Sequence, residues 1–194
     1  MMARIKFLSV LAWLVVGFSS WQSFAFESLK ISDPVKKYSF LLEGGTAEGD
    51  AEADRFGGFL RYNFDKPLVQ TQEWEGVTYL EFSISYWDGE NGRTNTDSLV
   101  DFGLTPVFRF QKKVSGFIPF AEIGLGAHLH TEDGIGDENF DIPFAFGSHF
   151  GLGFRFGPES NYELVYRFQH LSNASLGDDN PGINFHGVLL GFHF

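Results

Sequence analysis

The stretch Tyr162–Ser172, YELVYRFQHLS, alternates without a break. Tyr162, Leu164, Tyr166 and Phe168 fall on one side of an extended chain; Glu163, Arg167 and Gln169 fall on the other, because successive side chains of a strand point to opposite faces. Period two therefore reads this stretch as a strand with one apolar and one charged face. The same period recurs in eight segments, roughly 38–45, 55–64, 77–88, 97–110, 117–130, 144–156, 161–172 and 183–194. Leu80, Phe82, Ile84 and Tyr86 share one apolar face, as do Phe102, Leu104, Phe108 and Phe110, and Phe146, Phe150, Leu152, Phe154 and Phe156. The fifth segment has the opposite parity, with Ala121, Ile123, Leu125 and Ala127 on its apolar side. The other faces are charged or small: Glu43, Arg61, Glu81, Asp101, Arg109, Glu122, His149, Arg155, Glu163 and Arg167.

A β-sandwich also alternates, but its outward positions are freely polar. Here acids, arginines and glycines are mixed on one face, as a narrow closed lumen filled with paired charges requires. The expected fold is therefore all-β, an eight-stranded antiparallel transmembrane barrel of the outer-membrane type. At eight strands the interior is just filled by side chains, so no open pore is expected. Closure also leaves no sheet edge unpaired in lipid.

Composition agrees. The 194 residues include 24 Phe and 23 Gly, yet mean hydropathy is −0.08, so apolar residues are interleaved with polar ones. Arg4 and Lys6 followed by FLSVLAWLVVGF and SFA read as a secretory signal with cleavage after Ala25. A retained transmembrane helix is the alternative, but the apolar stretch is short. Residues 26–194 then form one domain, and beyond the signal no run of about 18 apolar residues remains for a spanning helix. The formal charge is −11, and removing Arg4 and Lys6 takes it to −13, which argues against nucleic acid as a partner. With no cysteine, neither a disulfide framework nor a thiolate metal site is available.

The connections follow barrel habit. Four are long and acidic and are assigned to the outer side: GGTAEGDAEAD, DGENGRTNT, TEDGIGDENFD and NASLGDDNPG. QKKVSG and GPES are short inner turns, whereas DKPLVQTQEWEG is longer than such a turn needs. Phe194, with Phe192, Leu190 and Val188 on the same face, resembles the C-terminal signal of outer-membrane barrels, which implies the barrel assembly machinery as a folding partner.

Extending the alternation of residues 162–172 brings His170 and Ser172 onto the apolar, lipid-facing side at the outer end. In the last segment, Asn184 and His186 share the parity of Val188 and Leu190. If Ser172 pairs with Asn184, His170 faces His186, and Asn184 lies diagonally about 7–8 Å from His170. Polar groups on a lipid face are costly and tend to mark function. A serine can attack, a histidine take its proton, and an amide or carboxylate orient the ring. By spacing alone, a serine and histidine two apart at a membrane rim are more often interfacial polar residues.

The longer string YRFQHLSNASLGDDNPGIN resembles the signature of the lipid A 3-O-deacylase (PagL) family of outer-membrane acyl-ester hydrolases. The resemblance covers the last two segments and their loop. It implies His170 as general base, Ser172 as nucleophile, Asn173 as an oxyanion-hole donor and the backbone N–H of Ser175, where the family has glycine, as the second. Tyr166 and Phe168 would contact acyl chains, lipid A in lipopolysaccharide would be the substrate, and no cofactor is implied. The chain departs from the family at Asn184, where a glutamate is expected. Asparagine can hold one imidazole tautomer but offers no negative charge to an imidazolium. Asp178 and Asp179 in the adjoining loop are candidate substitutes. The alternative functions are a non-catalytic barrel serving adhesion or envelope stability, and another lipid-modifying enzyme such as an acyltransferase.

Other motifs have ordinary readings. HLH at 128–130 places two histidines on the lumen side, more readily hydrogen-bonded than metal-bound. EDGIGDENFD has the wrong ligand spacing for a calcium loop and reads as an acidic, solvated loop. The glycines of GLGAHLH and GLGFRF make room inside the barrel, and the sequon NAS belongs to the site hairpin.

Overall fold

Each alternating segment becomes a strand. A computed structural model describes residues 36–49, 52–90, 92–114 and 116–194; the expected signal, residues 1–25 with cleavage after Ala25, lies outside them. The barrel strands are β1 (Tyr38–Glu48), β2 (Asp54–Asn63), β3 (Trp74–Asp88), β4 (Ser98–Lys112), β5 (Ile118–His130), β6 (Phe144–Phe156), β7 (Tyr162–Ser172) and β8 (Ile183–His193). Each pairs antiparallel with the next, and β8 pairs with β1, which closes the sheet. The strands match the period-two segments within three residues at either end.

The faces are inverted relative to a water-soluble domain. Arg61, Glu81, Glu122, Glu163 and Arg167 are buried, while Leu42 is 59% and Leu125 63% exposed and Phe194 lies outside. Leaving such side chains in water would forgo about 1.5–3 kcal/mol each, so the outer belt requires lipid. No helix among the described residues is long and apolar enough to cross a membrane. Crossing falls to the strands, 10 to 15 residues long, with an aromatic girdle at the inner end where Trp74 stacks on Phe110 and Phe117 on Phe154.

Burying arginines and glutamates is tolerable only when they satisfy one another. Arg61 Nε donates to Glu81 at 2.7 Å, and Arg109 Nη2 to Glu122 at 2.7 Å. Both pairs are direct register partners on neighbouring strands. Arg109 also reaches Glu163 at 2.7 Å, and Arg167 bridges Glu81 at 2.8 Å and Glu122 at 2.9 Å. Other inward charges are paired as well. Glu43 pairs with Arg55 at 2.6 Å, Asp101 takes His128 at 3.0 Å and His130 at 3.3 Å, and Arg155 Nε donates to the Ser160 carbonyl at 3.0 Å. The lumen glycines are spacers: a Cβ at Gly124 would lie 2.4 Å from the His149 ring, and one at Gly147 2.4 Å from His128.

Two connections differ from expectation. TEDGIGDENFD is not simply solvated: Gly134–Ile135 pairs with Glu138–Asn139, and the hairpin buries Ile135 and Phe140. They join Trp87, Leu171, Ile183 and Phe185 in an apolar cap across the outer mouth. The long inner connection DKPLVQTQEWEG folds back as a strand extension, with Val69 and Gln70 paired to Gly76 and Glu75 around Thr71.

Candidate functional site

β7 ends at the outer rim with His170 and Ser172 half-buried on the side of the wall that carries exposed Tyr166. Leu171 between them points inward into the cap. Across the hairpin, the register differs by two residues from the expected one. His170 faces Asn184 directly, Phe168 faces His186, and Leu171 faces Ile183. Direct pairing replaces the expected diagonal, and His170 Nδ1 lies 2.7 Å from Asn184 Oδ1. A carboxamide oxygen only accepts, so Nδ1 carries the proton and Nε2 is left with its lone pair. Gly182, at φ 70°, lets the loop pass against the ring: a Cβ there would sit 2.9 Å from His170 Cε1.

On the opposite flank, β6 places Ser148 beside His170 and Phe146 beside Ser172. Ser172 and His170 are two residues apart on one face, and among the described residues the His170 ring bonds Asn184 rather than the serine. Hydrogen bonds between a nucleophile and its base are often long before substrate arrives.

The two implied oxyanion donors are engaged within the loop. Asn173 is buried, and its Nδ2 donates to the Phe140 carbonyl at 2.8 Å and the Asp179 carbonyl at 2.7 Å. Its Oδ1 accepts the Ser175 N–H at 2.9 Å. Ser175 itself adopts φ 62°, a conformation that favours glycine. Of the loop acids, Asp179 Oδ2 accepts from Asn139 Nδ2 at 3.2 Å, while Asp178 is anchored by its backbone N–H, which donates to Asp141 Oδ2 at 2.8 Å.

A neighbouring cluster was not foreseen. β1 runs three residues past its expected end at 45, which sets Thr46 opposite His186 and Glu48 opposite Asn184. The Tyr166 hydroxyl lies 2.6 Å from His186 Nδ1, and His186 Nε2 lies 3.6 Å from Glu48 Oε2. The only sequence signal for this extension is weak: Thr46 and Glu48 keep the parity of Leu42 through two glycines.

A closed barrel with an outer apolar belt, carrying Ser172, His170 and Asn184 on its outward face near the outer rim, is a β-barrel of the outer-membrane type. The family pattern described as Lipid A 3-O-deacylase (PagL) matches residues 55–193, and the chain belongs to that family. It is 29% identical over 114 residues to Lipid A deacylase PagL of Bordetella bronchiseptica. That match covers 59% of this chain and 61% of the relative, so the chain matches less than two thirds of the length of this curated relative. The crystal structure of the outer membrane enzyme PagL superposes with a TM-score of 0.73 at 23% identity, over 80% of this chain and 99% of that one. Neisserial surface protein A shares the fold more loosely, with a TM-score of 0.52 at 9% identity over 81% of this chain and 96% of that one.

Proposed function

We propose that this barrel is an ester hydrolase that removes a 3-O-linked acyl chain from lipid A at its outer, lipid-facing wall. The observation that carries the reading is the His170 Nδ1–Asn184 Oδ1 hydrogen bond on the outward face, with Ser172 one step further along the same face. Ser172 Oγ attacks the ester carbonyl as its proton passes to His170 Nε2. The tetrahedral intermediate collapses, the sugar oxygen takes that proton and leaves, and the acyl group stays on Ser172. Water then attacks the acyl-serine, giving its proton to His170, and the fatty acid departs as Ser172 is reprotonated.

The placement suits the substrate. Lipid A esters lie at the headgroup boundary of the outer leaflet, so the nucleophile must stand outside the barrel at that depth. Tyr166 and Phe168, below the site on the same strand, would lie along the acyl chains. Use of the Asn173 and Ser175 donors for the oxyanion requires the Asn173 carboxamide to release its loop partners.

Mass spectrometry of lipid A from cells making the wild-type barrel should show loss of one hydroxyacyl chain, and cells making Ser172→Ala should show none. His170→Asn should behave like Ser172→Ala. Lipid A fully acylated in both strains would support a non-catalytic barrel, the reading favoured by the uncharged residue at position 184. Deacylation by Ser172→Ala would refute the mechanism.

A further inference from the structure

During attack His170 becomes an imidazolium, and its bonded partner Asn184 is neutral. An ion at the edge of a lipid phase is poorly screened, so a carboxylate nearby would be felt strongly. The obvious donors are spent or misplaced. Asp179 accepts from Asn139, Asp178 is anchored through its backbone N–H to Asp141 in the loop beyond the strand, and Asp101 lies inside the wall bound to His128 and His130. On β6 the residues beside the site, Ser148 and Phe146, carry no charge.

β1 supplies a carboxylate. Glu48 is the register partner of Asn184, just as His170 is on the other side, so Asn184 stands between them on one row. All three point outward, since Glu48 shares the face of Leu42 and Thr46. The Glu48 side chain is 59% exposed. Its Oε2 lies 3.6 Å from Nε2 of His186 in the adjacent row, whose Nδ1 is 2.6 Å from the Tyr166 hydroxyl. The next outward carboxylate, Asp54, is a strand further away, opposite Thr46. The family match begins at residue 55 and so does not reach β1.

We propose that Glu48 supplies, from the adjoining strand, the negative charge that position 184 lacks, and so supports the His170 imidazolium as a positioning residue acting across Asn184. The inference rests on the esterase reading above. Two strand spacings separate the backbones of Glu48 and His170, about 10 Å. At that range a charge changes the rate on the order of tenfold.

The test uses the purified full barrel in detergent with lipopolysaccharide, reading released fatty acid. Glu48→Gln should lower kcat on the order of tenfold with KM little changed, and Glu48→Asp should retain most of the rate. Moving the charge should rescue it: Glu48→Gln combined with Asn184→Glu should match Asn184→Glu alone. A residue needed only for the shape of the rim would not be rescued from position 184. Equal kcat in wild type and Glu48→Gln, or the same loss in both backgrounds, overturns the proposal while the esterase reading stands. No release by wild type, or full release by Ser172→Ala, overturns both.

Discussion

Gly182 is the residue on which the site geometry most directly turns. Its φ of 70° strains any other side chain, and a Cβ there would press to 2.9 Å on the His170 ring. Gly182→Ala should therefore cost about 1 kcal/mol in backbone strain and displace the imidazole from Asn184. The expected readout is at least a tenfold loss of deacylation in a barrel that still resists denaturation. Retained activity would mean that the ring does not need this close approach. At this scale, the outward direction of His170 and Ser172 was legible, because parity from Tyr162 onward carries it. The engagement of Asn173 was not. Its partner carbonyl on Phe140 lies 33 residues away in a different loop, and no local pattern encodes such a contact.

Strand positions were legible from periodicity, but register was not. Alternation fixes which face a residue takes, and a slip of two residues leaves every face unchanged. The β7–β8 hairpin shows this. Ser172–Asn184 pairing and the observed His170–Asn184 pairing place the same side chains outside. What separates them is inside the barrel, where Leu171 and Ile183 meet opposite each other in the apolar cap. The cap also depends on Phe140, brought in by the short hairpin of the preceding loop. Phe140→Ala should cost about 3–5 kcal/mol and loosen the loop that holds Asn173. The midpoint of denaturant unfolding in detergent should fall accordingly; an unchanged midpoint would show that the cap adds no stability.

For the whole molecule, the inverted arrangement makes the lumen network indispensable. Arg61, Arg109 and Arg167 share Glu81, Glu122 and Glu163 across five strands. Arg109→Ala would leave Glu122 and Glu163 facing each other with one cation fewer, a loss of about 3–5 kcal/mol. The guanidinium also stacks on Phe120 at 3.7 Å, so packing is lost with the charge. The unfolding temperature in detergent should drop sharply, and a barrel indifferent to this change would not depend on its packed interior.

The first and last strands meet at one line, and the row of Ser148, His170, Asn184 and Glu48 straddles it. Until β8 zips onto β1, that row does not exist as a unit. The full rate proposed for it is thereby timed to the end of assembly: a chain not yet closed lacks the Glu48 charge and is slower, on the order of tenfold, toward the lipids through which it is being threaded. In refolding into detergent with lipopolysaccharide, the rate of fatty-acid release should climb on the order of tenfold as the heat-resistant form accumulates, and a rate that stays level through closure would count against the role of Glu48.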